Sequence, residues 1–166
     1  MALDAAIPNI YFTASYDTHG RLFDVRHPLP QIILKCSSYP MRAVTVAANH
    51  GIAPLIFTGG DDGLVRAWDV RHTRTCLYEL SGGATHVEQL AWHEGQQSLY
   101  IASDWRHAGR ESVDDDFDEL SLEDEPWHWP LHARYDPDYF GRRYCAGAPS
   151  LLEYRFRITA DNMNFD

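Results

Sequence analysis

The chain has 166 residues, 45% hydrophobic and 23% charged, a balance that supports one globular unit with a real core and excludes a wholly disordered chain. No run reaches the roughly 18–20 uninterrupted apolar residues of a membrane-spanning helix, and the first residues carry neither a basic region nor a long apolar one, so we expect no membrane partner and a place in the cytoplasm, the nucleus or both. A net charge of −10, from 24 acids against 14 Lys and Arg, speaks against a nucleic-acid partner, whose phosphates need clustered cations.

In chain order, short runs rich in Val, Ile, Leu and aromatics lie between Gly, Asp and Pro clusters: Ile10 to Ala14, Leu22 to Val25, Gln31 to Cys36, Ala43 to Ala47, Leu55 to Thr58, Leu64 to Val70, Cys76 to Leu80, Val87 to Trp92 and Leu99 to Ala102. This pattern predicts strands, and no window holds a helical period. Asp62-Gly63 predicts a tight reversal, with Gly63 supplying the positive φ. Trp68 falls near the end of the next strand, placed to fill space against a neighbouring sheet.

The chain also echoes itself. Phe12-Thr13-Ala14-Ser15-Tyr16-Asp17 and Gly20 to His27 parallel Phe57-Thr58-Gly59-Gly60-Asp61-Asp62 and Gly63 to His72, with the ending Asp-Val-Arg-His repeated 45 positions on. That offset lies at the edge of the 40–45 residue period of four-stranded propeller blades. On Gly59 to Arg71, read as Gly-Gly-Asp-Asp-Gly-Leu-Val-Arg-Ala-Trp-Asp-Val-Arg, the chain resembles the WD-repeat family. The resemblance implies an all-β fold, a partial β-propeller of four-stranded antiparallel blades forming a single domain over 1–166. Residues 9–37 give an incomplete blade of three strands and 41–81 a complete one. Residues 87–157 give a third, interrupted by an insertion over 104–138. Within it, Tyr139 to Cys145 and Leu151 to Phe156 read as a hairpin that completes the blade. They could also open a fourth, because Tyr144-Cys145-Ala146-Gly147 mimics Phe57-Thr58-Gly59-Gly60.

Seven blades of about 43 residues would need about 300, so the missing blades come from a longer chain, from copies of this one or from a partner. A start at the second strand of a blade favours the longer chain. Family members often place a Gly-His pair before each blade, its His joining a network with the turn Asp and a Ser or Thr of the second strand. Asp62 and Thr58 match their positions, but before Val87 only Gly83 corresponds and no His follows it directly.

The segment Trp68-Asp69-Val70-Arg71 resembles the signature by which some WD-repeat proteins dock onto the damaged-DNA-binding adaptor of cullin-type ubiquitin ligases. Arg71 would present its fork of donors there and Asp69 would orient it. Phe23-Asp24-Val25-Arg26 is a second copy with Phe in place of Trp, and it adds Asp24 and Arg26 as partner-binding candidates. The plainer reading is that Trp-Asp closes a blade and Arg71 is a solvated residue after it.

Between Glu111 and Glu125 lie nine acids and no Lys or Arg. This insertion is too poor in apolar residues to fold alone and reads as a disordered, solvated loop. In it Ser112 and Ser121, each with an acid three residues on, fit acidophilic kinases. His128 and His132 have a ligand-like spacing, but Pro130 between them breaks the helix that would align them, so no metal is expected. Trp127 and Trp129 read as packing residues. Cys36, Cys76 and Cys145 form no paired motif and read as small core residues in a reducing compartment. No catalytic or cofactor fingerprint occurs. The expectation is a protein-interaction scaffold without cofactor, in one variant a ubiquitin-ligase receptor. The alternative is a propeller enzyme or small-ligand binder.

Overall fold

The computed structural model describes residues 2–3, 9–35, 38–49, 52–83, 85–107, 130–140 and 149–156. They form eleven strands in three antiparallel sheets. The first sheet takes β1 (Ala2–Leu3), β2 (Ile10–Ala14), β3 (His19–Asp24) and β4 (Ile32–Lys35) in sequence order. The second takes β5 (Met41–Asn49), β6 (Ile52–Gly60), β7 (Leu64–Asp69) and β8 (Tyr78–Ser81), again in order. The third has β9 (Thr85–His93), β10 (Ser98–His107) and β11 (Ser150–Arg155), with β10 in the middle.

Alternation decides what each strand buries. On β2 and β3, Phe12 and Leu22 face the second sheet and join Leu34, Val44, Ile56 and Trp68 in one apolar cluster. The next residues along each strand, Tyr11 and Phe23, are paired in register and turn to the opposite face, where their rings stack at 5.1 Å. The second sheet is buried on both sides. Its other face supplies Ala43, Ala47, Phe57, Val65, Ala67 and Leu80 to a second cluster with Val87, Leu99, Ile101 and Tyr154 of the third sheet. Period-two side-chain geometry therefore accounts for a three-layer stack from one pattern.

The 45-residue echo is also a structural equivalence. Ile10 pairs with Asp24 and Leu55 with Asp69; Tyr11 pairs with Phe23 and Ile56 with Trp68; Thr13 pairs with Arg21 and Thr58 with Arg66. Every pair between the second and third strands of the first sheet maps onto the second sheet by the same shift. Gly63 sits at φ 71°, and Thr18, its equivalent, adopts the same φ of 71°.

Two features differ from expectation. The sheet read from 9–37 carries a fourth strand of two residues, Ala2–Leu3, too short to show periodicity in the sequence. Strand β11 pairs directly with β10, and Pro137–Phe140 is a 3-10 turn rather than the start of a partner strand from Tyr139. Residues 141–148, with the rest of that expected strand, lie outside the described residues, as do Cys36, the acidic segment with Ser112 and Ser121, and Trp127, His128 and Trp129.

The described end of the insertion lies along the outer edge of the second sheet. Residues His132 to Arg134 bridge Glu79 of β8 in parallel, with Glu79 N donating to the His132 carbonyl at 3.0 Å and Arg134 N to the Glu79 carbonyl at 3.1 Å. Tyr135 then stacks near Tyr154 of the third sheet, and the Tyr154 hydroxyl donates to the Ser81 carbonyl at 2.8 Å. An edge strand is thereby covered instead of left open.

Candidate docking rim

The two Asp-x-Arg segments follow the third strands of adjacent sheets, so they lie at equivalent places on one rim. In each, the chain turns just past the strand and the Asp carboxylate accepts the backbone N–H two residues on. Asp24 Oδ1 accepts Arg26 N at 3.0 Å and Asp69 Oδ1 accepts Arg71 N at 2.8 Å. The guanidinium then closes back on the same carboxylate. Arg26 reaches Asp24 through Nε at 2.8 Å and Nη2 at 2.5 Å, and Arg71 reaches Asp69 through Nε at 3.0 Å and Nη2 at 2.6 Å.

These forks are displayed rather than packed. The Arg26 and Arg71 side chains are 66% and 67% exposed, while their carboxylates are 10% and 15% exposed. Hydrogen bonds from the guanidinium and backbone of Arg71 lower the Asp69 pKa from 3.8 to about 2, and Asp24 is likewise held well below the ordinary carboxylate range by Arg26. Both pairs are charged at neutral pH. With two-thirds of each arginine side chain exposed, the fork offers guanidinium donors to an incoming carboxylate or carbonyl.

Behind the rim, Trp68 is 3% exposed and its Nε1 donates to Thr58 Oγ1 at 2.9 Å, which fixes the ring against the first sheet. Asp62 closes the turn by accepting Leu64 N at 3.2 Å and pairs with Arg66 at 2.7 Å. Arg66 Nε in turn donates to Glu79 at 2.9 Å. Asp62 is thus held by an arginine four residues on, in the strand that follows its turn. The first sheet repeats the device, Asp17 pairing with Arg21 at 2.5 Å.

Sequence reasoning passed over Arg66 and Arg21, although their recurrence at the 45-residue offset was a usable signal. It also passed over Arg42, for which the sequence held no local cue. Arg42 on β5 pairs with Asp61 of the turn between β6 and β7, reaches Glu88 of β9 at 2.9 Å, and lies 5.1 Å over the ring of Tyr16 in the first sheet. Its side chain, 14% exposed, ties all three sheets together. Buried His86 stands 3.5 Å from Asp61 on the same side.

No family model matches the chain. A ribosome biogenesis protein WDR12 homolog from Ixodes scapularis is 34% identical over 96 residues, which span 55% of this chain and 22% of that protein. Among solved structures, a propeller chain of the mitotic checkpoint complex aligns with a TM-score of 0.52 and 18% identity, covering 62% of this chain and 31% of that one. The fold is a partial WD-repeat β-propeller. Its three sheets are blades, and the chain spans about a fifth of the curated relative's length. Trp68 and Asp69 end the third strand of the second blade, with Phe23 and Asp24 in the equivalent place of the blade before. Among the described residues no helix is long and apolar enough to cross a membrane.

Proposed function

We propose that this WD-repeat chain is part of a protein-interaction scaffold that docks onto another protein through the rim carrying Arg26 and Arg71. The observation that carries the reading is the duplication of the fork: two exposed guanidinium groups, each oriented by its own carboxylate, at the same place on adjacent blades. A buried-core arginine would not need to recur in this exposed form. The partner is a protein rather than a nucleic acid or a membrane, and the chain works in the cytoplasm, the nucleus or both.

More specifically, the partner is the damaged-DNA-binding adaptor of cullin-type ubiquitin ligases, and the chain contributes to a substrate receptor. The remaining blades come from a longer chain or from copies of this one. Ser112 and Ser121 are phosphorylation sites in the acidic insertion. The test is capture of purified adaptor by the immobilised chain. Arg71→Ala should weaken binding by on the order of ten- to a hundred-fold, Arg26→Ala by less, and the double variant should abolish capture. Capture unchanged by the double variant refutes the adaptor reading.

The Ixodes scapularis relative is named for ribosome biogenesis, which favours a second reading in which the scaffold serves that process. Co-sedimentation with pre-ribosomal particles, unaffected by Arg71→Ala, would support it over ligase docking.

A further inference from the structure

At the outer edge of the second blade, Cys76, Glu79 and His132 present a sulfur, a carboxylate oxygen and an imidazole nitrogen that all lie within 4.8 Å of one another. We propose that these three side chains bind one divalent cation of the zinc type, which clips the insertion onto the blade.

The grouping does not depend on chance side-chain positions. Cys76 lies two residues before the start of β8 and Glu79 within it, while His132 comes 53 positions after Glu79 and is delivered by the parallel bridge between the two backbones. The Glu79 carboxylate is divided between two tasks. Its Oε1 accepts from Arg66 at 2.9 Å, which fixes its orientation, while Oε2 accepts the His132 N–H at 3.3 Å and lies 3.8 Å from the ring nitrogen Nδ1. A ligand carboxylate held by a neighbouring donor is the usual outer-shell arrangement of metal sites.

Charge is balanced as well. Arg66 is matched by Asp62 at 2.7 Å, so a thiolate and the Glu79 carboxylate are left to neutralise a dication. Sulfur, nitrogen and oxygen together select zinc and its borderline neighbours over calcium or magnesium, which prefer oxygen alone. Three protein ligands leave the fourth tetrahedral position to water, and solvent reaches it past His132, whose side chain is 61% exposed. On binding, the Cys76 thiol gives its proton to solvent and the sulfur forms the metal bond, while the imidazole binds in its neutral form; one proton is released per cation. His128, weighed with His132 in the sequence and set aside there, lies outside the described residues; the groups beside His132 come from the preceding blade.

The test uses the full chain with Cys36→Ser and Cys145→Ser, leaving Cys76 as its only thiol. Titration with Co²⁺ should give a one-to-one complex with thiolate-to-metal absorption, displaced by Zn²⁺. At a hundred-fold excess of Zn²⁺ over Kd, the melting temperature should rise by roughly 5–10 °C. Adding Cys76→Ser or His132→Ala should each weaken binding by on the order of a hundred-fold. His132 is exposed, so its variant folds even if the Cys76 variant does not. Failure to form a one-to-one complex at micromolar cation, or its retention in either folded variant, overturns the proposal.

Discussion

The equivalence of Thr18 and Gly63 can be tested by exchanging their residue types. Both positions take φ of 71° in the turn between the second and third strands of their blades. A left-handed backbone costs a residue with a Cβ about 1–2 kcal/mol. Glycine escapes that strain but loses more freedom on folding, which offsets about 0.5–1 kcal/mol. The Thr18 hydroxyl lies 3.4 Å from His19 Nδ1, at the outer limit of a hydrogen bond, and adds little. Thr18→Gly is therefore expected to stabilise the chain by about 0.5–1 kcal/mol, and Gly63→Thr to destabilise it by a similar amount. In a chain of this size the two melting temperatures should move apart by roughly 2–8 °C, read by calorimetry or circular dichroism on matched samples. If both variants move in the same direction, or Thr18→Gly lowers stability by more than about 0.5 kcal/mol, the two turns are not equivalent and the strain argument fails.

Packing between the second and third blades depends on small residues. A Cβ added at Gly59 would stand 2.5 Å from Val87 Cγ1, so Gly59→Ala should cost about 1–3 kcal/mol in urea denaturation, and a second change, Val87→Ala, should recover part of it as a coupling of at least about 0.5 kcal/mol. The Asp69 carboxyl has its pKa lowered from 3.8 to about 2 by its hydrogen bonds with Arg71. A depressed carboxyl contributes stability above the unfolded value that is lost as pH falls through the folded one. The stability it contributes should therefore be constant from pH 8 down to about 4 and decline from there to about 2, where the fork is half open. Carboxyl NMR titration should show the low midpoint, returning to near 3.8 in Arg71→Ala.

Much of this fold was readable because the repeat and the alternation agree. Ile10 to Ala14 has the strand limits of β2, and the Asp-Val-Arg-His pair marks equivalent rims because each copy follows a strand of the same register. Trp68 was legible as a packing residue for the same reason. What escaped were features that depend on contacts distant in sequence. The run from Tyr139 looked strand-like by its aromatics, yet Tyr139 stacks on Tyr135 in a 3-10 turn, at 4.4 Å between rings. Arg42 gains its importance only when three blades meet, and Glu79 only when His132 arrives beside it.

The first and third blades offer unlike surfaces to anything that would extend the stack. On the first, the Tyr11–Phe23 stack and half-exposed Ile33 make an oily plate. On the third, Glu153 gathers Ser98, Tyr100 and Arg155 into a charged, hydrogen-bonded lattice. A neighbour laid on the plate need only shed water from rings, whereas one laid on the lattice must strip solvent from ions and supply substitutes for it. A neighbour would therefore meet a low desolvation cost on the first face and a higher one on the third.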